Sequence, residues 1–261
     1  MYISLRRLLV CAIGIVATGC FGAPRFEPVV EPLAARSSRA RCEDVMQRRQ
    51  PASSMKALVD AEFSRKDEGA RFRYALVSRA ESSLRVDMLP PEGAVTIAIL
   101  VVHDGVSTLI NSQEKTYTAG FDEQQMVQKF FGLNGVSKSI VIGLLSGVVP
   151  ELFCQDVVAY EEDEDSVVLL DTASHTAWHV TPKGLVRKVE ILDEHNRAVR
   201  LQAKVKEMSS EGLPSIAVAL YAPYEVQGIL RVAKLTLNQP IKPALFDVEV
   251  PSDYRQVEPQ S

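Results

Sequence analysis

The feature that most limits the fold is a two-residue alternation of apolar and polar side chains. Val199, Leu201, Ala203 and Val205 alternate with Arg200, Gln202, Lys204 and Lys206. A segment of this kind is a strand that is packed on one face and wet on the other. The same period runs through Arg71–Val77, where Phe72, Tyr74 and Leu76 lie opposite Arg71 and Arg73. It recurs in Ser83–Leu89, where Leu84, Val86 and Met88 alternate with Arg85 and Asp87. Val95–Val102 is apolar on both faces, as suits a central strand, and Gly105 permits a tight turn from His103-Asp104 into Val106–Ile110. Further strands are predicted over Val167–Asp171, Thr176–Thr181, Leu185–Leu192, Ile216–Leu220, Ile229–Leu237 and Phe246–Val250. This pattern describes a meander of antiparallel strands.

Two zones have helical spacing instead. Arg41–Gln50 predicts a short helix stopped by Pro51, with Ser53 or Ser54 capping another helical turn through Leu58. Between Phe121 and Phe153, Asp122 caps a helix carrying Met126, Val127, Phe130 and Phe131, which Gly132 ends. Ser137 caps a second helix carrying Ile140, Val141, Leu144 and Leu145, closed by Gly147. Ile140–Val149 is short for a bilayer span and reads as a core or interfacial helix. No long linker divides the body, so one α+β, mostly β domain is predicted over residues 41–251, with 252–261 as a flexible tail.

The N-terminus carries Arg6 and Arg7, an apolar run Leu8–Val16, and then Ala17-Thr18-Gly19-Cys20. Residues 1–19 read as an export signal. Small residues just before a cysteine resemble the lipobox of bacterial lipoproteins, whose cysteine thiol receives a diacylglyceryl group. Cys20 is therefore the candidate lipid-attachment site, and several acyl chains on one residue hold a protein to a bilayer permanently. An ordinary secretory signal is the alternative. Phe21, rather than Asp, follows the cysteine; by resemblance to the sorting rule of enteric bacteria this points to the outer membrane. Residues 20–40, with Pro24, Pro28 and Pro32 and no apolar period, read as an extended tether.

Other chemistry is poorly supplied. A formal charge of −4 and a single tryptophan (Trp178) argue against a nucleic-acid surface. No Gly-x-Ser-x-Gly, His-Glu-x-x-His or phosphate loop occurs, so neither an enzyme nor a cofactor is predicted. Asp171, His175 and His179 are spaced by four but read as solvated or structural rather than as a metal site. The acidic run Glu161–Asp165 reads as a solvated loop. Cys42 and Cys154 remain beside Cys20 after signal removal, and in an oxidising compartment they form either a disulfide or two buried thiols.

The order of lipobox, tether, N-terminal helix, antiparallel meander, central helices and further strands resembles the LolA/LolB superfamily of lipoprotein-localisation factors. The likeness is to its uncharacterised LolB-like outer-membrane lipoproteins in particular. Its local words are Val77-Ser78-Arg79, Ser83-Leu84-Arg85-Val86-Asp87, the Asp104-Gly105 turn and Phe246-Asp247-Val248-Glu249-Val250-Pro251. The resemblance implies a curved antiparallel half-barrel of about ten or eleven strands, with a helical lid on its concave face and an apolar cavity for acyl chains between them. The strands would line that cavity with Phe72, Tyr74, Leu76, Leu84, Val86 and Met88, beside Ile97 and Ile99. The lid would add Phe130, Ile140, Leu144 and Leu145. Arg79 falls where the soluble carrier of the family has an arginine that bonds to the lid, although Ala80 follows it here instead of proline. The exposed apolar residue of the acceptor's protruding loop falls within Leu89-Pro90-Pro91-Glu92-Gly93, where Leu89 is the bulky candidate. The implied function is a monomeric, outer-membrane-anchored acceptor on the periplasmic face. Its implied partners are the membrane, acylated lipoproteins or lipid, and a periplasmic carrier protein. The alternative is a structural or protein-interaction lipoprotein on the same scaffold.

Overall fold

The computed structural model describes residues 23–28, 30–65, 68–79, 82–92, 95–131, 135–195, 197–208, 213–221 and 225–258. The export signal, Cys20 and Gly132 lie outside the described residues. Helix α1 (Ala35–Arg48) precedes a meander of β1 (Ser54–Arg65), β2 (Glu68–Arg79), β3 (Ser83–Leu89), β4 (Ala98–His103), β5 (Val106–Asn111) and β6 (Thr116–Phe121). Helices α2 (Glu123–Phe131) and α3 (Lys138–Ser146) follow. A second meander holds β7 (Val157–Asp163), β8 (Ser166–Asp171), β9 (Thr176–Val180), β10 (Val186–Leu192), β11 (Val199–Met208), β12 (Pro214–Leu220) and β13 (Val226–Leu237). The short β14 (Arg255–Gln256) comes last.

The 14 strands of the described residues belong to one curved, open sheet in the order β14-β6-β5-β4-β3-β2-β1-β13-β12-β11-β10-β9-β8-β7. The two meanders are joined by antiparallel pairing of β1 with β13, from Met55 opposite Leu237 to Ser64 opposite Gln227. The result is the α+β half-barrel expected, with more strands than the alternation alone revealed. Among the described residues no helix is long and apolar enough to cross a membrane.

Several expectations are corrected. The predicted helical turn through Leu58 is the start of β1. There Met55, Ala57, Val59 and Ala61 are buried and alternate with Lys56, Asp60 and Glu62. The neighbours β2 and β13 satisfy its backbone on both sides, which overrides the helix-friendly alanines. Helix α1 begins at Ala35, inside the predicted tether, and ion pairs Arg39–Glu43 and Arg41–Asp44 run along it. The chain before it is not extended away from the domain. The Val199 N–H donates to Pro24 O at 2.7 Å, and the Phe26 N–H donates to Arg197 O at 3.0 Å. Phe26 is only 6% exposed and packs edge-on against Tyr160 in a small second core on the outer face of the sheet. The acidic run is not a loop either: Glu161–Asp163 lie in β7, and Glu161 pairs with Arg41 at 3.0 Å.

The predicted strand Phe246–Val250 is absent. A 3-10 turn at Pro243–Leu245 instead drives Phe246 into a buried site, where it stacks on His103. The predicted flexible tail pairs with the sheet. β14 runs parallel to β6, Lys115 bonds Asp253 at 2.8 Å, and the Val257 N–H donates to Tyr117 O at 2.8 Å. At the other edge, β7 is covered by the start of α1. The Leu33 N–H donates to Ala159 O at 2.9 Å, and the Ala159 N–H donates to the Ser38 hydroxyl at 3.1 Å. Both edges of the sheet are thus occupied by the chain's own ends, which keeps their backbone groups from templating foreign strands. Cys42 of α1 and Cys154, just before β7, form a disulfide across 112 residues.

Candidate functional site: an apolar cavity under two helices

The strand period places one continuous apolar set on the concave face. Val59 lies opposite Tyr74, Ala203 opposite Val218, and Ile216 opposite Leu230. The two helices close over this face. Asp122 caps α2 by accepting from the Gln125 N–H at 3.0 Å, and Ser137 caps α3 by accepting from the Ile140 N–H at 3.3 Å. Met126, Val127 and Phe130 of α2 and Ile140, Leu144 and Leu145 of α3 are buried in the same core as the sheet.

Helix α3 lies close to the sheet because of one missing side chain. A Cβ on Gly143 would sit 3.0 Å from Trp178 Cη2 and 3.2 Å from Pro150 Cδ. The helix is tied at both ends. Lys138 Nζ bonds Glu123 at 3.1 Å and donates to Ser82 O, in the β2–β3 turn, at 3.3 Å. At the other end Gly147 adopts the left-handed conformation, and its carbonyl accepts from the Val186 N–H at 2.8 Å.

Between α3 and the sheet lies a cavity of about 80 Å³. The helical side contributes Phe131, Val136, Ile140, Val141, Leu144 and Leu145. The sheet contributes Val59, Phe63, Tyr74 and Leu76, with Leu201, Ala203, Val218 and Leu230 from β11–β13. Phe63, Phe131, Val141 and Leu230 are half-buried and mark the side nearest solvent; the rest are buried. Tyr74 lines the cavity with its ring alone, and the cavity surface is wholly apolar. Its hydroxyl has no hydrogen-bond partner among the described residues, and burial pushes its pKa up to about 12. The Tyr74 ring also touches Phe130 and Phe131, at centroid distances of 6.3 and 5.8 Å.

Of the predicted lining residues, Tyr74, Leu76, Ile140, Leu144 and Leu145 face this cavity. Leu84 and Val86 are fully buried, Phe130 is buried, and Phe72 and Met88 pack at the margin of the same core. Ile99 is a correction: its partner across the ladder is Asp87, so it lies on the outer face of the sheet. Ile97 precedes β4 and also lies outside the core. Arg79 does not meet the lid; it lies over the Phe246 ring, 6.0 Å from its centroid. The side chain that does link the lid to the β2–β3 turn is Lys138, which the sequence reading missed. In the β3–β4 loop the exposed apolar side chain is Val95, 77% exposed, whereas Leu89 ends β3 half-buried.

The histidine cluster separates. His175 sits in the β8–β9 turn, and Asp171 accepts bonds from that turn. His179 Nε2 is 2.8 Å from Glu190 on the outer face beneath Phe26. Burial raises the Glu190 pKa, but bonds from His179 and Gln202 outweigh it and hold the carboxylate at about 2. Among the described residues no group of three or more His, Cys, Asp or Glu side chains is placed to hold a metal ion.

No protein-family model and no curated protein matches the sequence. Solved structures do match. A LolA superfamily protein from Nitrosomonas europaea aligns with 12% identity and a TM-score of 0.53, covering 83% of this chain and 98% of its own. A putative outer membrane lipoprotein-sorting protein domain from Vibrio parahaemolyticus aligns with 11% identity and a TM-score of 0.57, covering 82% and 97%. The fold is that of the LolA superfamily. A DUF1329 family protein from Desulfovibrio piger shares it with 8% identity, a TM-score of 0.57 and the same coverage, 82% and 97%. At these identities the likeness is one of fold, and the LolA-like half-barrel with its covered concave face is what the chain has in common with them.

Proposed function

We propose that this protein is a lipoprotein anchored to the periplasmic face of the outer membrane through Cys20. In this reading it shelters the acyl chains of lipids or acylated lipoproteins between its sheet and α2–α3, as a LolB-like acceptor without enzymatic activity. The observation that carries the reading is the wholly apolar cavity lining. Two of the similar structures are described as LolA superfamily and lipoprotein-sorting proteins, which supports the same assignment.

At about 80 Å³ the cavity is far below the roughly 300–1,000 Å³ of a typical ligand site, so α3 must lift to admit an acyl chain. Breaking the two Lys138 bonds and turning about Gly147 is the motion the ties allow. Each methylene that enters contributes about 0.8 kcal/mol, which offsets the exposure of the lid's apolar face. Val95, at the tip of the β3–β4 loop, takes the place expected for Leu89.

The test is titration of the purified lipoprotein with a fluorescent acyl probe and with an acylated lipoprotein. Saturable binding that is lost on Leu144→Asp, with the circular dichroism unchanged, is expected. A folded protein that takes up neither ligand sinks the proposal. A second reading, a protein-interaction lipoprotein on this scaffold, is favoured by the small closed volume. It requires a cross-linked protein partner that persists in Leu144→Asp.

A further inference from the structure

We propose that the outer face of β11–β13, the side of the sheet away from the cavity, docks on the phosphate headgroups of the bilayer that anchors Cys20. The proposal rests on the lipid attachment read above, and on two structural observations that are independent of each other.

The first is a short leash. The described chain is already fixed to the sheet at Pro24, whose carbonyl accepts from the Val199 N–H, and Phe26 is buried two residues later. Four residue steps separate Pro24 from Cys20 and extend at most about 14 Å. A lipid on Cys20 therefore holds the start of β11 close to the membrane surface and leaves little room to rotate away.

The second is a basic groove on the same face. A trough of about 760 Å³ runs over β12. The β-ladders set Lys204, Ala217, Ile229, Glu62 and Arg71 side by side across five strands. Ala217, Val218 and Ala219 floor it along β12, while Gln202, Lys204 and Lys206 line the β11 side and Arg231 the β13 side. Glu62 is the single carboxylate of the lining, and Arg71 at 2.8 Å and Arg231 at 3.2 Å already clamp it. Lys204 and Lys206 are exposed and have no ion pair among the described residues. Four cations against one carboxylate make this groove basic in a chain whose formal charge is −4.

Lys204 lies five residues along β11 from Val199, about 17 Å. Around the leash the exposed Glu27, Glu31 and Glu194 are matched in number by the exposed Arg25, Arg36 and Arg197, so the side towards β7–β10 has no excess of cations to compete with the groove. An anionic leaflet therefore attracts the groove more strongly, and the domain tips to bring it onto the headgroups. The apolar cavity then stays on the face turned away from this contact.

The test uses the full lipidated protein in vesicles of phosphatidylethanolamine and phosphatidylglycerol. With Cys42 and Cys154 bonded and Cys20 acylated, one added cysteine takes a fluorophore. Gln227→Cys reports the groove wall, and Val106→Cys, at the opposite end of the strands, is the reference. A headgroup-borne quencher is expected to dim the groove label roughly threefold more than the reference. That contrast should vanish in phosphatidylcholine vesicles, in K204E/K206E, and in 1 M salt, where screening acts within about 3 Å. Equal quenching at the two sites, or a contrast that K204E/K206E leaves intact, overturns the proposal. Intact mass separates the two failures: an unmodified Cys20 removes the anchor and this orientation with it, whereas an acylated protein with equal quenching removes the orientation alone.

Discussion

Gly143 offers the sharpest lever on the lid. Its hypothetical Cβ lies 3.0 and 3.1 Å from two atoms of the Trp178 ring and 3.2 Å from Pro150. An alanine there crowds rigid neighbours by a few tenths of an ångström, and helix propensity returns about 0.5–1 kcal/mol. Gly143→Ala should therefore be close to neutral. Gly143→Leu adds three more carbons where no space exists, and overpacking of that kind costs about 1–3 kcal/mol. The strain falls on the closed lid alone, so the open fraction should rise roughly 5–150-fold. A ligand that binds only the open form gains apparent affinity by the same factor until opening is complete. Trp178 is the single tryptophan and the residue struck, so its emission reports lid displacement directly. The assay is acyl-probe titration alongside Trp178 emission. Tighter probe binding with a red-shifted emission is expected for Gly143→Leu, with little change in either for Gly143→Ala. A red shift with unaltered probe affinity would refute the reasoning, because it would show the lid displaced and the cavity irrelevant to binding.

Three further outcomes are open to measurement. Removing the disulfide by Cys42→Ser with Cys154→Ser should lower unfolding free energy by up to about 4–5 kcal/mol, the entropy of a loop of this length, as read from denaturant midpoints. Tyr74→Phe should leave stability unchanged or slightly raised, and acyl-probe affinity unchanged, since the hydroxyl it removes has no partner among the described residues and the cavity surface is wholly apolar; denaturant midpoints and probe titration check both. Glu190, held at about 2 in the fold against an ordinary 4.5, adds stability that is present above pH 4.5 and lost as pH falls towards 2. Glu190→Gln should flatten the stability–pH curve across that interval, and an unchanged slope would remove Glu190 as its source.

The alternation in Arg71–Val77, Ser83–Leu89 and Val199–Val205 was enough to indicate a half-wet antiparallel sheet, and the caps Asp122 and Ser137 located the lid helices. Both signals are local. What escaped was settled by distant partners. β1 is a strand because β13, more than 160 residues later, supplies half of its ladder. β14 is too short to show any period and exists only through its pairing with β6. The same blindness affected the cavity. Its β2 and α3 walls were legible as apolar stripes, but Val59 and Phe63 fell in a segment left unread, just past the helical turn expected through Leu58. Leu201, Val218 and Leu230 carried the right period, yet nothing in the sequence said that they curve round to meet α3. Ile97 and Ile99 were placed by proximity in a fully apolar run, where hydrophobicity does not distinguish the two faces of a strand. The face was set by Asp87, across the ladder from Ile99.

The sealing of β6 by residues Arg255–Val257 has a practical corollary for anyone handling this molecule. Thr118 and Tyr117 stay paired with β5 but give up their neighbours on the outer side when those residues are missing or dragged aside. A truncated product, or one carrying a bulky reporter immediately after that point, would present a raw β6 border to other copies. The chain is better kept through residue 258 than trimmed before it, and clumping that tracks the loss of this stretch would trace to β6 rather than to the greasy interior.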